Sequence, residues 1–163
     1  MSFLPRTLQL AENVVKVMTT QAKKLVTVES CTGGLIAAVI TQIPGASKIF
    51  DYGLVTYSNQ VKSDLVKVRP ETLEEYGAVS PQTAREMVKG GLVLSNADFG
   101  VSVTGIAGPG GGSKNKPVGL VYIASGDHDK VIVEKNRFTG TREEIREATV
   151  NKALEMIMEG IGS

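Results

Sequence analysis

Residues 25–43 read LVTVESCTGGLIAAVITQI. An unbroken apolar and β-branched run ends at Glu29, and Ser30, Cys31 and Thr32 follow as consecutive side chains with nucleophilic heteroatoms. Gly33-Gly34 then opens a segment, 34–43, whose composition is helical and which Pro44-Gly45 closes. A run that is apolar or β-branched at successive positions, not at alternate ones, is the mark of a strand buried on both faces. A buried strand feeding directly into a helix is the repeating unit of an α/β fold, which presents its strand-to-helix loops at the carboxyl ends of the strands. This one stretch therefore sets the fold class and places ESCTGG where such folds put their chemistry.

The flanking segments agree. Leu8, Ala11, Val15, Met18 and Ala22 recur at spacings of three and four, which predicts an amphipathic first helix with Lys23 and Lys24 at its carboxyl end. FDYGLVTYS (50–58) predicts a second strand, and Ser58 a cap for a helix over NQVKSDLVKV (59–68), stopping before Pro70. Ser80-Pro81 predicts a helix over 81–95, weakened near its end by Gly90-Gly91. A third strand is expected at 98–105, then a glycine-rich loop at 106–117. A hairpin follows, with strands at 118–125 and 130–138 about a turn containing Gly126 and His128. Thr141 to Glu144 (TREE) is a capping box, opening a last helix whose apolar face is Val150, Ala153, Leu154, Ile157 and Ile161. The chain, 1–163, is expected to be one α/β domain in layers around a mixed sheet.

Composition removes several functions. With 18 Lys+Arg against 17 Asp+Glu, nothing recommends nucleic acid or an anionic membrane as partner. The absence of tryptophan argues against a stacking surface for single strands. One cysteine excludes an internal disulfide framework and any multi-cysteine metal site. No apolar run reaches membrane-spanning length and the start, MSFLPRTLQL, lacks the pattern of a signal peptide, so a cytoplasmic location is expected. The single histidine, His128, falls in the predicted turn SGDHDK. Hydrolytic chemistry here needs a base other than histidine.

ESCTGG supports two readings. Ser or Thr can cap the following helix. Yet one cap needs one hydroxyl, and helical glycines cost about 1 kcal/mol each relative to alanine, so Thr32, Gly33 and Gly34 also suit a backbone that approaches a ligand closely. VTGIAGPGGGSKNKPVG (103–119) holds six glycines. It reads either as a surface loop or as a nest of N–H groups around an anion, with Gly105, Gly108 and Gly110 facing the ligand. It fits neither the P-loop pattern nor the dinucleotide fingerprint. TYSNQVK (56–62) brings Tyr57 to a strand end and Lys62 one turn into a helix, at the predicted sheet edge that carries Ser30. A desolvated lysine with a lowered pKa can take a proton from serine. Arg142 and Arg146, spaced i and i+4, share a helix face and could clamp a phosphate or sit in a solvated, salt-bridged face.

In order along the chain, VESCTGGLIAA, GLVTYSNQVKSDLV, GAVSPQTAREM, VSVTGIAGPGGGSKNKPVGLVYIA and FTGTREEIREATVNKAL resemble the CinA C-terminal domain family, whose stand-alone members are nicotinamide-nucleotide amidohydrolases. The resemblance runs from residue 6 to 157 and implies a three-layer α/β/α fold. It implies deamidation of nicotinamide mononucleotide to nicotinic acid mononucleotide and ammonia, without metal or cofactor. The family's nucleophile falls on Ser30, its tyrosine and lysine on Tyr57 and Lys62, and its threonine on Thr104. Backbone N–H groups of residues 30–34, with the Thr104 hydroxyl, are expected at the oxyanion, and the glycine loop with Arg142 and Arg146 at the phosphate. Thr32 is then left as the helix cap and Cys31 as a small buried residue. Many relatives carry an additional nucleotide-hydrolysing domain, so only the deamidase activity is expected of this sequence. The SKNK insertion before Pro117 differs from shorter family loops. A non-catalytic nucleotide-binding module is the alternative, and a hydrolase using Cys31 a third. A homo-oligomer is compatible with the sequence.

Overall fold

Leu25–Glu29 (β1) is buried at every position, as the β-branched run requires. It lies at the centre of the parallel part of a five-stranded sheet of order β2-β1-β3-β4-β5, with β2 at Phe50–Val55, β3 at Phe99–Gly105, β4 at Leu120–Gly126 and β5 at Val131–Arg137. β1 pairs in parallel with β2 and β3, while β4 and β5 add antiparallel. The computed structural model describes residues 3–162.

The helices cover both faces, giving a three-layer α/β/α arrangement with a mixed sheet. Pro5–Thr20 (α1), Leu35–Gln42 (α2) and Arg142–Ile161 (α6) pack on one face, where Met18, Ile36, Ile40, Leu154 and Ile157 meet Val101, Val103, Val121 and Ile123. Asn59–Val66 (α3), Pro70–Tyr76 (α4) and Pro81–Ser95 (α5) lie on the other, where Val66, Met87, Val88 and Leu92 meet Val26, Val28 and Ala124. The predicted apolar face of α6 is buried in full. The crossover after β1 thus runs on one face and the crossover after β2 on the other. That reversal opens a crevice at the carboxyl ends of β1 and β3, the general ligand position in open α/β sheets.

Local differences from the sequence expectations have physical causes. The second strand stops at Val55, because Thr56 and Tyr57 turn their carbonyls to Lys62 and Ser58 leaves the sheet to cap α3. The α3 helix ends at Val66, with Lys67 left-handed at φ 58°. Pro70 then begins a helix of its own, α4, where the sequence suggests only a stop. The α5 helix runs through Gly90-Gly91 to Ser95, since a Cβ at Gly90 would sit 1.7 Å from the Val66 carbonyl oxygen. Glycine at that position lets α3 and α5 touch. Among the described residues no helix is long and apolar enough to cross a membrane.

Candidate active site

The chain leaves β1 at Glu29, and that carboxylate, 1 % exposed, organises the loop and helix beyond it. It accepts hydrogen bonds from the Thr32 hydroxyl at 2.6 Å and from the N–H groups of Gly34, Ile36 and Ala37 at 3.0, 3.1 and 2.9 Å. It therefore occupies the place of an N-cap for α2 and lies where the helix dipole favours a negative charge. Thr32, expected as the cap, is not one. Its hydroxyl donates to Glu29, and the N-cap position falls to Gly34, at φ 97°. A strand-end glutamate just ahead of paired glycines is the signal for this in the sequence, and the common preference for Ser and Thr at caps obscures it.

Ser30, next in the chain, faces Lys62 from α3. The ammonium nitrogen lies 3.0 Å from Ser30 Oγ, 2.8 Å from the Thr56 carbonyl oxygen and 3.3 Å from that of Tyr57. Lys62 is only 1 % exposed, and burial pushes its pKa down from 10.5 to about 8, the Cys31 thiol opposing slightly. Both carbonyls can only accept. When Lys62 loses a proton, its two remaining N–H bonds match the two carbonyls and its lone pair is left for the Ser30 hydroxyl. The same three contacts suit the ammonium, which donates to Ser30 Oγ and to both carbonyls, so the geometry serves either protonation state.

Ser30, Lys62, Tyr57, Thr104, Arg142, Gly105, Gly108 and Gly110 all line one cleft of about 270 Å³. Lys62 and Arg142 are the charged residues in its lining, and both are cationic. Tyr57 stands at the rim, 61 % exposed, its hydroxyl accepting from Arg142 Nη2 at 3.3 Å. Arg142 Nη1 donates to the Gly108 carbonyl at 2.7 Å, so this guanidinium spans the cleft mouth from Tyr57 to the glycine loop. The loop itself is tied down. Ser113 and Lys116 of the SKNK insertion close a turn on each other, and the Lys116 amine donates to the Tyr76 carbonyl at the end of α4.

Other expected residues are placed differently. Thr104 lines the cleft, but its hydroxyl donates to the Ala78 carbonyl at 2.7 Å, so that proton is committed away from a developing oxyanion. Thr32, Gly33, Gly34 and Arg146 are not in the cleft lining. Arg146 Nε and Nη2 donate to the carbonyls of Cys31 and Thr32 at 3.2 and 2.9 Å, and the side chain borders a separate cavity with Phe3, Leu35 and Val150. The two arginines share a helix face yet take different tasks. Burial pushes the Cys31 thiol up to about 12, so it stays protonated at neutral pH and is a poor nucleophile. His128 is in the β4–β5 turn, bonded to the Ala97 carbonyl at the far end of the sheet. Among the described residues no three His, Cys, Asp or Glu side chains converge to hold a metal ion.

The CinA C-terminal domain family model matches residues 7–161. A CinA-like protein of Endomicrobium trichonymphae is 57 % identical over 129 residues, which are 79 % of this chain and 30 % of that protein. The chain spans about a third of the length of the curated relatives it matches. Among solved structures, the competence/damage inducible protein CihA of Agrobacterium tumefaciens superposes with a TM-score of 0.97 at 45 % identity, over 100 % of this chain and 99 % of that one. A competence-damaged protein (CinA) superfamily protein of Klebsiella pneumoniae gives 0.92 at 33 % identity, over 96 % and 98 %.

Proposed function

Because the chain belongs to the CinA C-terminal domain family, we propose that it is a serine amidohydrolase that converts nicotinamide mononucleotide to nicotinic acid mononucleotide and ammonia. The observation that carries this reading is the buried Lys62 amine 3.0 Å from Ser30 Oγ, with its pKa lowered to about 8. A purely binding site has no need of a desolvated lysine held against a serine; a hydrolase without a catalytic histidine has.

In the proposed reaction neutral Lys62 takes the Ser30 proton as Oγ bonds to the carboxamide carbon. The tetrahedral intermediate collapses, the C–N bond breaks, and Lys62 returns its proton to the leaving nitrogen, which departs as ammonia. Water then attacks the resulting ester, giving Lys62 a proton. That proton passes back to Ser30 Oγ as the acid is released. Arg142 at the cleft mouth, with the glycine loop behind it, supplies the positive wall for the phosphate. Incubation with nicotinamide mononucleotide should yield ammonia and nicotinic acid mononucleotide in equal amounts. Saturable binding without ammonia at about pH 9, where the lysine is mostly neutral, would overturn the enzymatic reading and favour a nucleotide-binding module.

A further inference from the structure

Lys62 and Arg142 line the cleft, and neither forms an ion pair with a described residue. Arg142 is exposed at the mouth, whereas Lys62 is 1 % exposed and touches only a hydroxyl and two carbonyls. The ionisable groups around it supply no counter-charge. Cys31 keeps its proton, and the Glu29 carboxylate is turned onto Thr32 and the N–H groups of α2. Tyr57 meets Arg142 at the rim. On α5, which packs against α3, Glu86 is held by Arg69 and Thr72, while Arg85 and Lys89 border a separate groove with Leu65 and Val66. Asp64, on α3 itself, accepts from Gln60 at the surface. A buried cation without a partner is costly, and a bound anion relieves that cost.

The Lys62–Ser30 hydrogen bond can run in either direction. The ammonium has three protons, two for the carbonyls and one for Ser30 Oγ, so the serine O–H is free to donate into the cleft. The neutral amine gives its two protons to the carbonyls and accepts the serine proton on its lone pair. Ser30 Oγ then offers the cleft only lone pairs. A carboxylate has only acceptors, whereas the nitrogen of a carboxamide has only donors. From this we infer that the charge on Lys62 decides which ligand the cleft holds: a carboxylate when the lysine is charged, a carboxamide when it is neutral. The two ligands are the acid and amide nucleotides of the proposed function, on which this reading rests. Turnover then ends in the retaining state. The carboxylic acid formed from the ester is a far stronger acid than a lysine ammonium, so its proton passes to Lys62 and leaves an ammonium facing a carboxylate. Product therefore inhibits the enzyme where Lys62 is charged and leaves readily where it is neutral.

Calorimetric titration of the wild-type protein with nicotinic acid mononucleotide, which is not turned over, reads the carboxylate state directly. Ribose 5-phosphate, with the phosphate but no carboxylate, is the control for Arg142. Between pH 7 and pH 9 the acid nucleotide should bind about tenfold more weakly, as a ligand of the charged form of a group titrating near 8 must. Ribose 5-phosphate should change by less than about twofold, and acid-nucleotide binding at pH 8 should take up about half a proton, read from the heats in Tris and HEPES. In turnover, KM for the amide nucleotide divided by Ki for the acid should fall at least about tenfold over the same range. Lys62→Met should bind the acid nucleotide equally at both pH values, and more weakly than wild type at pH 7. Should Lys62→Met fail to fold, Lys62→Arg, charged at both, should bind it equally well at each. An acid nucleotide that does not bind, or that binds equally to wild type at pH 7 and pH 9, overturns the inference. So does a weakening that ribose 5-phosphate shares or that persists in Lys62→Met. Ammonia release with a pH-independent acid affinity defeats the carboxylate site and leaves the proposed reaction. The expected weakening without any ammonia release defeats the reaction and leaves the carboxylate site standing.

Discussion

Under the proposed function, Lys62 is the residue on which the chemistry turns, because it must lose a proton before it can accept one from Ser30. With its pKa near 8, the neutral fraction falls about tenfold per pH unit below that value and saturates above it. Activity should therefore rise from about pH 6 to pH 8 and level off toward pH 9, and Lys62→Met should lose at least ~10²-fold in kcat. A steady-state rate that is flat over that range would remove Lys62 as the base. The sequence offers this lysine as a base, and the family resemblance selects it. Its spacing from Tyr57 places both at one sheet edge, but the desolvation that lowers its pKa depends on how α3 packs against α5 and beside the loop that follows β1. Tyr57 shows the same limit at the other extreme. The resemblance brings it to the site with the lysine, and its phenol lies at the rim against Arg142 while its backbone carbonyl touches the amine.

Among the elements, the junction between β1 and α2 is held by side chains that local cap motifs do not reveal. Ser58, Ser80 and Thr141 cap their helices as those motifs predict, each accepting from a backbone N–H three residues on. The α2 helix lacks such a cap because its capping group, Glu29, comes from the preceding strand across the Ser30 loop. Glu29→Gln keeps the shape but turns an NH₂ toward a donor: Oε2 serves Thr32, Gly34 and Ile36, while Oε1 serves Ala37. We expect a loss of about 1–3 kcal/mol, read from the midpoint of urea unfolding, with a lower kcat as the loop loosens. An unchanged midpoint would mean that the carboxylate does not organise the junction. Helix α4, which the sequence does not announce, has a different cause. Its few residues of mixed polarity carry too little periodicity to stand out, and only Thr72 of that helix is buried.

For the molecule as a whole, the layered α/β fold was legible because its signals are redundant. β1 is apolar at nearly every position, α6 carries a regular apolar face, and strands and helices alternate until the final hairpin. The gathering of the site was less legible, since it depends on strand order. Placing β1 between β2 and β3 brings Ser30, Tyr57 and Thr104 to one end of the sheet. The α6 helix crosses the same end from the opposite face, with Arg142 over the cleft and Arg146 bonded to the carbonyls of the Ser30 loop. Two arginines four residues apart, alike in sequence, are separated by that geometry into one group facing the cleft and one facing backbone. Under the proposed function, this assembly activates Ser30 as a nucleophile toward a nucleotide carboxamide. The sharpest test is ammonia release from nicotinamide mononucleotide at about pH 9, where Lys62 is neutral, wild type beside Ser30→Ala. Release from Ser30→Ala should be at least ~10³-fold slower, with substrate binding retained. Release from Ser30→Ala within about tenfold of wild type would defeat the proposal.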